Sequence, residues 1–106
     1  MNDRPVTYEV TCSIAADLCE EFEIFMCGRH IPEILSSGLF TSASFAASTP
    51  GRYRIRYAAH DRTALDRYLS TFADGLRTDF ADRFPTGVLV TREEWTILRR
   101  FEAAKT

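Results

Sequence analysis

The sequence predicts an α+β fold, a four-stranded antiparallel sheet with two helices on one face. Three observations predict it. Val6, Tyr8, Val10, Cys12 and Ile14 alternate with Thr7, Glu9, Thr11 and Ser13, a period of two that marks a half-buried strand. Tyr53, Ile55 and Tyr57 alternate in the same way with Arg52, Arg54 and Arg56. Each of these strands is followed by a stretch of helical period and then by a further strand pattern. The order β-α-β-β-α-β is the split β-α-β, or ferredoxin-like, plan, and the right-handed crossover rule leaves little alternative to it. Strands one and three are then antiparallel neighbours at the centre.

The bulk numbers fit one domain over 1–106. A chain of this size buries about 65% of its unfolded surface, enough for one sheet and two helices. Hydrophobic content of 45% and charged content of 26% exclude a disordered chain. A net charge of −2 argues against a nucleic-acid partner, which requires a basic face. The thirteen basic residues include twelve arginines, a skew that fits either anion recognition by guanidinium groups or genome composition. Cys12, Cys19 and Cys27 have no C-x-x-C spacing and leave an odd thiol over, as expected of free cysteines in a reducing cytoplasm. No run approaches the ~20 apolar residues of a membrane span. The expected setting is soluble and cytoplasmic, without a membrane partner.

The first helical stripe is Leu18, Phe22, Phe25, Met26 and Arg29, with Asp17 and the following glutamates in the first turns, where they complement the helix dipole. Pro32 disfavours the α conformation at Ile31, so this helix should end near Gly28–His30. A short turn over Pro32–Ser36 then begins at the proline and stops at Gly38. Phe40 to Ala47 reads as a second strand, and Thr49–Pro50–Gly51 as the turn of a hairpin. The second helix begins at Asp61 and carries Leu65, Tyr68, Leu69, Phe72, Leu76, Phe80 and Phe84. A bend is expected at Gly75, and Asp79 and Arg83 have the spacing of an i, i+4 pair. Val88 to Leu98 is the last strand, with a bulge expected at Glu93–Glu94. Trp95, Ile97 and Phe101 either complete the core or bury against a partner.

The helices cover the tyrosine-bearing face of the sheet and leave Glu9, Arg52, Arg54 and Arg56 on the other. A Glu9–arginine pair across the strands contributes a few tenths of a kcal/mol when exposed. Three readings of this face stand open: a solvated surface, the lining of a polar cavity between two copies in a homodimer, or a site for a small anionic ligand. The open strand 40–47 also suits an interaction module that adds a strand.

Candidate catalytic groups are few. The topology brings the end of the first helix and the start of the second to one rim, so His30, Glu33, His60 and Asp61 gather there. A histidine beside a carboxylate is the raw material of acid–base catalysis. The bland alternatives are a capping or hydrogen-bonding role for His30 and a loop position for His60. Neither histidine belongs to a zinc spacing, and the sequence has no nucleophile elbow, phosphate loop or dinucleotide fingerprint. No metal and no cofactor are expected.

His30–Ile31–Pro32–Glu33 followed by Leu35, Gly38 and Phe40 resembles the H-I-P-E-x-L-x-x-G-x-F signature of the bacterial domain of unknown function 4286. Similar positions hold the alternation of strand one, the aromatic helix before His30, the tyrosine-rich third strand, Arg67–Tyr68–Leu69, and Leu76–Arg77 leading to Arg83–Phe84. Cys27–Gly28–Arg29 and the tail after Thr91 depart from the pattern. The resemblance implies a ferredoxin-like domain of the dimeric α+β barrel group, which includes cofactor-free monooxygenases, isomerases, haem-degrading enzymes and proteins without known activity. It supplies no catalytic residues. The expectation is an uncharacterised homodimer that is non-catalytic or binds a small ligand at its arginine face. The alternative is a small cofactor-free enzyme, monooxygenase- or isomerase-like, that uses a rim histidine for proton transfer.

Overall fold

The computed structural model describes residues 4–104, so the two ends of the 1–106 span lie outside the described residues. Strands β1 (Val6–Ile14), β2 (Ser42–Ala47), β3 (Arg52–Ala59) and β4 (Val88–Thr96) form one antiparallel sheet in the order β2-β3-β1-β4. The helical segments are α1 (Cys19–Phe25), α2 (Ile31–Leu35), α3 (Arg62–Thr71) and α4 (Ala73–Arg83). The two central strands, each hydrogen-bonded along both edges, are the two with the clearest alternation. Val6, Tyr8, Cys12, Ile14, Tyr53, Ile55, Tyr57 and Ala59 are buried beneath the helices. Phe22, Phe25, Ile34, Leu65, Tyr68 and Phe84 meet them from above in one core. At ~25 cal/mol per Å² of apolar surface removed from water, this layer is the main stabilising contribution. Glu9, Arg52, Arg54 and Arg56 lie on the opposite face.

The hairpin follows from its turn residues. Arg52 N–H donates to Thr49 C=O at 2.9 Å, with Pro50 and Gly51 between them and Gly51 at φ 83°, the arrangement of a type II turn. Gly51 C=O accepts from Ile14 N–H at 2.7 Å, which fastens the turn to the end of β1. Asp61 caps α3, its Oδ1 accepting from Ala64 N–H at 2.9 Å, as an N-cap aspartate should.

The structure departs from the sequence expectations in several places. The first helix does not end near Gly28–His30: a π turn over Met26–His30 joins α1 to α2 without a break. Ile31, the residue before Pro32, is helical at φ −64°, ψ −46°, and its N–H donates to Met26 C=O, five residues back. A widened turn relieves the clash between a proline ring and the carbonyl four residues before it. The second helix breaks at Phe72 (φ −114°, ψ −31°) and not at Gly75. Asp79 pairs with Arg29, and Arg83 with Glu21, in place of an Asp79–Arg83 pair. No bulge interrupts β4, whose register with β1 runs evenly through Glu93 and Glu94. Strand β2 starts at Ser42 and β4 stops at Thr96, short of Phe40 and Leu98. Trp95 and Phe101 are 52% and 83% exposed, so neither completes the core.

Candidate functional site

The sequence stripe places Arg29 on the buried face of the first helix, yet Arg29 is exposed and His30 is buried. The π turn accounts for the exchange. Seven residues of regular helix return the chain to about 20° short of its starting direction, which would align Arg29 with Phe22. The wide turn absorbs one residue, and His30 takes the inward place. Such turns are rare and recur at functional sites. Arg29 is left outside, donating to Glu33 Oε1 at 3.0 Å and to Asp79 Oδ1 at 2.8 Å, with its guanidinium 5.6 Å from the centre of the Phe25 ring.

His30 is 9% exposed. Its ring stacks on Phe25 and tilts against Phe80, each with centroids 5.5 Å apart. Its Nδ1 is buried without a hydrogen-bond partner, as is Oδ2 of Asp79. Burial pushes the His30 pKa below the ordinary histidine value; Asp79 and Glu33 pull it upward, and Arg29 and Arg92 oppose them. The ring is neutral near pH 7, with one nitrogen free to accept a proton.

His30 lines a half-enclosed cavity between the sheet and the helices, together with Tyr8, Tyr57, Tyr68, Arg77 and Arg92. The cavity has about 40 Å³ of space for water centres, room for about three waters. Its apolar lining includes Val10, Ile34, Ile55, Leu76 and Phe80. Arg77 reaches in from α4 and donates to Tyr8 Oη at 2.9 Å. Tyr8 lies among Phe40, Tyr57 and Tyr68, with centroids 6.0–6.4 Å away. Burial holds Tyr57 well above the usual phenol range, raises Tyr68 to about 12 and lifts the Cys12 thiol to about 11. All three are therefore neutral near pH 7.

The other sequence candidates lie elsewhere. Glu33 is exposed and engaged by Arg29, acting on His30 through the field alone. His60 is exposed just beyond β3 and is absent from the cavity lining. On the outer face Glu9 sits opposite Arg56 in the register and accepts from its Nε at 3.0 Å, while Arg52 and Arg54 border a polar depression with Thr11 and Ser48. Among the described residues no cluster of three or more His, Cys, Asp or Glu could hold a metal ion, and all three cysteines are free thiols. No helix among the described residues is long and apolar enough to cross a membrane.

Sequence reasoning missed Tyr8, Arg77 and Arg92 as site residues. Arg92 had a legible signal, because it shares the inward phase of β4 with Val88 and Val90, where an apolar residue is due. Tyr8 and Arg77 had none, since their meeting spans 69 positions.

The model of the family described as domain of unknown function DUF4286 matches residues 5–98. The chain belongs to this family. No curated protein matches it. Solved structures share its fold at low identity. SnoaB, a cofactor-independent oxygenase from Streptomyces nogalater, superposes with a TM-score of 0.73 at 14% identity, covering 94% of this chain and 99% of that one. A dimeric ferredoxin-like protein from an uncultured marine organism gives 0.70 at 15% identity over 92% and 99%. The ActVA-Orf6 monooxygenase of Streptomyces coelicolor, in complex with nanaomycin D, gives 0.69 at 17% identity over 96% and 95%. The DUF4286 chain thus has a ferredoxin-like fold.

Proposed function

We propose that this DUF4286 protein is a small cofactor-free enzyme, isomerase- or monooxygenase-like, in which His30 takes a proton from a molecule held in the inner cavity. One observation carries the reading: a neutral, buried imidazole lines a cavity with its Nδ1 unpartnered. A buried polar atom without a partner costs about 1–3 kcal/mol, and such costs concentrate at functional sites. A C–H or O–H bond of the ligand breaks, its electron pair stays on the ligand as an enolate or phenolate, and the proton goes to Nδ1. Asp79 and Glu33, which favour the protonated ring, stabilise the imidazolium so formed. Return of the proton to a different atom completes an isomerisation. In a monooxygenation dioxygen is the co-reactant: it takes electrons from the same anion, a C–O bond forms to give a hydroperoxide, and the O–O bond breaks with loss of water to leave a carbonyl. The oxygenases that share the fold support this only as fold neighbours.

The active form in this reading is a homodimer joined through the outer sheet face. Leu89 and Trp95 project from that face at 75% and 52% exposure, and Leu98 and Phe101 follow at 72% and 83%, an apolar set suited to an interface. The dimeric ferredoxin-like neighbour supports it. Three free thiols suit a reducing bacterial cytoplasm. A second reading, a non-catalytic domain that binds a small anion on the outer face, is favoured by Arg52 and Arg54, which border the polar depression and make no ion pair with a carboxylate among the described residues.

Deuterium incorporation at C2 of acetoacetate and of its methyl ester, followed by proton NMR, tests the enzyme reading. The protein should exceed the buffer rate with at least one of them, and His30→Gln should fall to that rate with its circular-dichroism spectrum unchanged. Equal rates in the two proteins remove His30 from the chemistry. Light scattering that finds only monomer at high concentration removes the dimer.

A further inference from the structure

We infer that the inner cavity selects a small organic anion, a carboxylate on a short apolar body, whose charge is held by Arg77 and Arg92. This rests on reading the inner cavity as the ligand site. Among the described residues no aspartate or glutamate lines the cavity. Tyr57, Tyr68, Cys12 and His30 are neutral near pH 7, and Arg77 and Arg92 bring two guanidinium groups to the lining. Arg29, Arg56, Arg62 and Arg83 each find a carboxylate. Arg77 instead spends one N–H on the Tyr8 hydroxyl, and Arg92 makes no ion pair among the described residues. The carboxylate that acts on Arg77, Asp74, lies outside the lining, on α4 one turn earlier.

Arg77 and Arg92 both line the cavity while remaining exposed, so each guanidinium can meet an anion that enters from solvent. A guanidinium has five donors in a planar fork that matches a carboxylate, and most of the donors of this pair are uncommitted. Ile34, Ile55, Leu76 and Phe80 supply an apolar wall for the remainder of the ligand. The space for about three waters fits an acetate-sized head group, with any longer body extending through the open side. An anion here also lies near the ring that accepts the proton, and the guanidinium pair favours the negative charge that develops when the proton leaves.

Acetate and its neutral counterpart acetamide are the probes, titrated against the protein while the His30 ring and arginine Nε–H signals are followed by NMR. Acetate should shift these signals saturably in the millimolar range and acetamide about tenfold more weakly, the difference between a charge-assisted and a neutral hydrogen-bond partner. Arg92→Met should weaken acetate about tenfold, whereas Arg54→Met, on the outer face, should leave it unchanged. Equal affinity for the two probes, equal shifts with chloride, or indifference to Arg92→Met overturns the inference. The exchange assay separates this failure from that of the enzyme reading. If methyl acetoacetate exchanges as fast as acetoacetate through His30, the anion preference falls and proton transfer stands. If neither exchanges while acetate binds through Arg92, proton transfer falls and the anion site stands.

Discussion

Replacing His30 by leucine should make the protein more stable. The imidazole is buried, and its Nδ1 has no protein partner, so removing it recovers a desolvation cost of about 1–3 kcal/mol. Leucine forfeits the ring contacts with Phe25 and Phe80, worth about 0.5–1.5 kcal/mol, and gains a few tenths in helix propensity. The balance is a gain of about 1 kcal/mol, or about 4 °C in Tm for a domain of this length. Thermal and urea unfolding of wild type and His30→Leu at pH 7 measure it. The pH dependence carries a second signature. Burial lowers the folded-state pKa of His30 beneath the ordinary value of 6.5, so below about pH 6.5 the unfolded chain binds the proton first. Wild-type stability should therefore fall as pH drops from there toward the folded-state pKa, and the variant should lose that slope. A variant that is a kilocalorie less stable than wild type at pH 7, or one whose pH curve runs parallel to it, would show that His30 is structural.

Three further outcomes follow from the geometry. An alanine Cβ at Gly51 meets the Ile14 carbonyl oxygen at 2.7 Å on a residue at φ +83°, so Gly51→Ala should cost at least about 2 kcal/mol in urea unfolding; at Gly75, where a Cβ meets nothing within 4 Å, alanine should instead raise stability by up to about 1 kcal/mol, and matching signs would contradict the turn and helix assignments. A thiol reagent followed by mass spectrometry should label exposed Cys27 first and buried Cys12 only on unfolding, and early labelling of Cys12 would contradict its burial. Trp95→Glu should shift the proposed dimer toward monomer in light scattering without loss of fold, and a dimer of unchanged mass would take the outer face out of the interface.

The parts of the fold carried by strict alternation were legible from residues alone. Tyr53, Ile55 and Tyr57 could face only the core once Arg52, Arg54 and Arg56 claimed the other side, and the two central strands followed. The first helix was less legible because Pro32 is an ambiguous signal: it discourages helix at Ile31 on average, but a π turn accommodates it, and no local residue pattern announces that turn. Arg29 and His30 exchanged places for the same reason. The break at Phe72 depends on how α3 and α4 seat on the sheet, which the nearby Gly75 does not report. Among the candidate residues, His30 and Glu33 stood out as a histidine and a carboxylate three positions apart, and only His30 lines the cavity. The cavity beside His30 did not, because Tyr8, Arg77 and Arg92 come from β1, α4 and β4 and meet only when the sheet closes under the helices.

The π turn makes the direction of one side chain depend on the width of a single helical turn and not on chemistry. Deleting a single residue from 27–29 would let the segment relax to ordinary 13-atom hydrogen-bonded rings. His30 would then be the seventh residue after Phe22 and would keep its inward direction, whereas closing the turn at full length would bring Arg29 inward in its place. Relatives one residue shorter at this point should therefore keep both the sheet and the imidazole over the cavity, on a helix of regular turns.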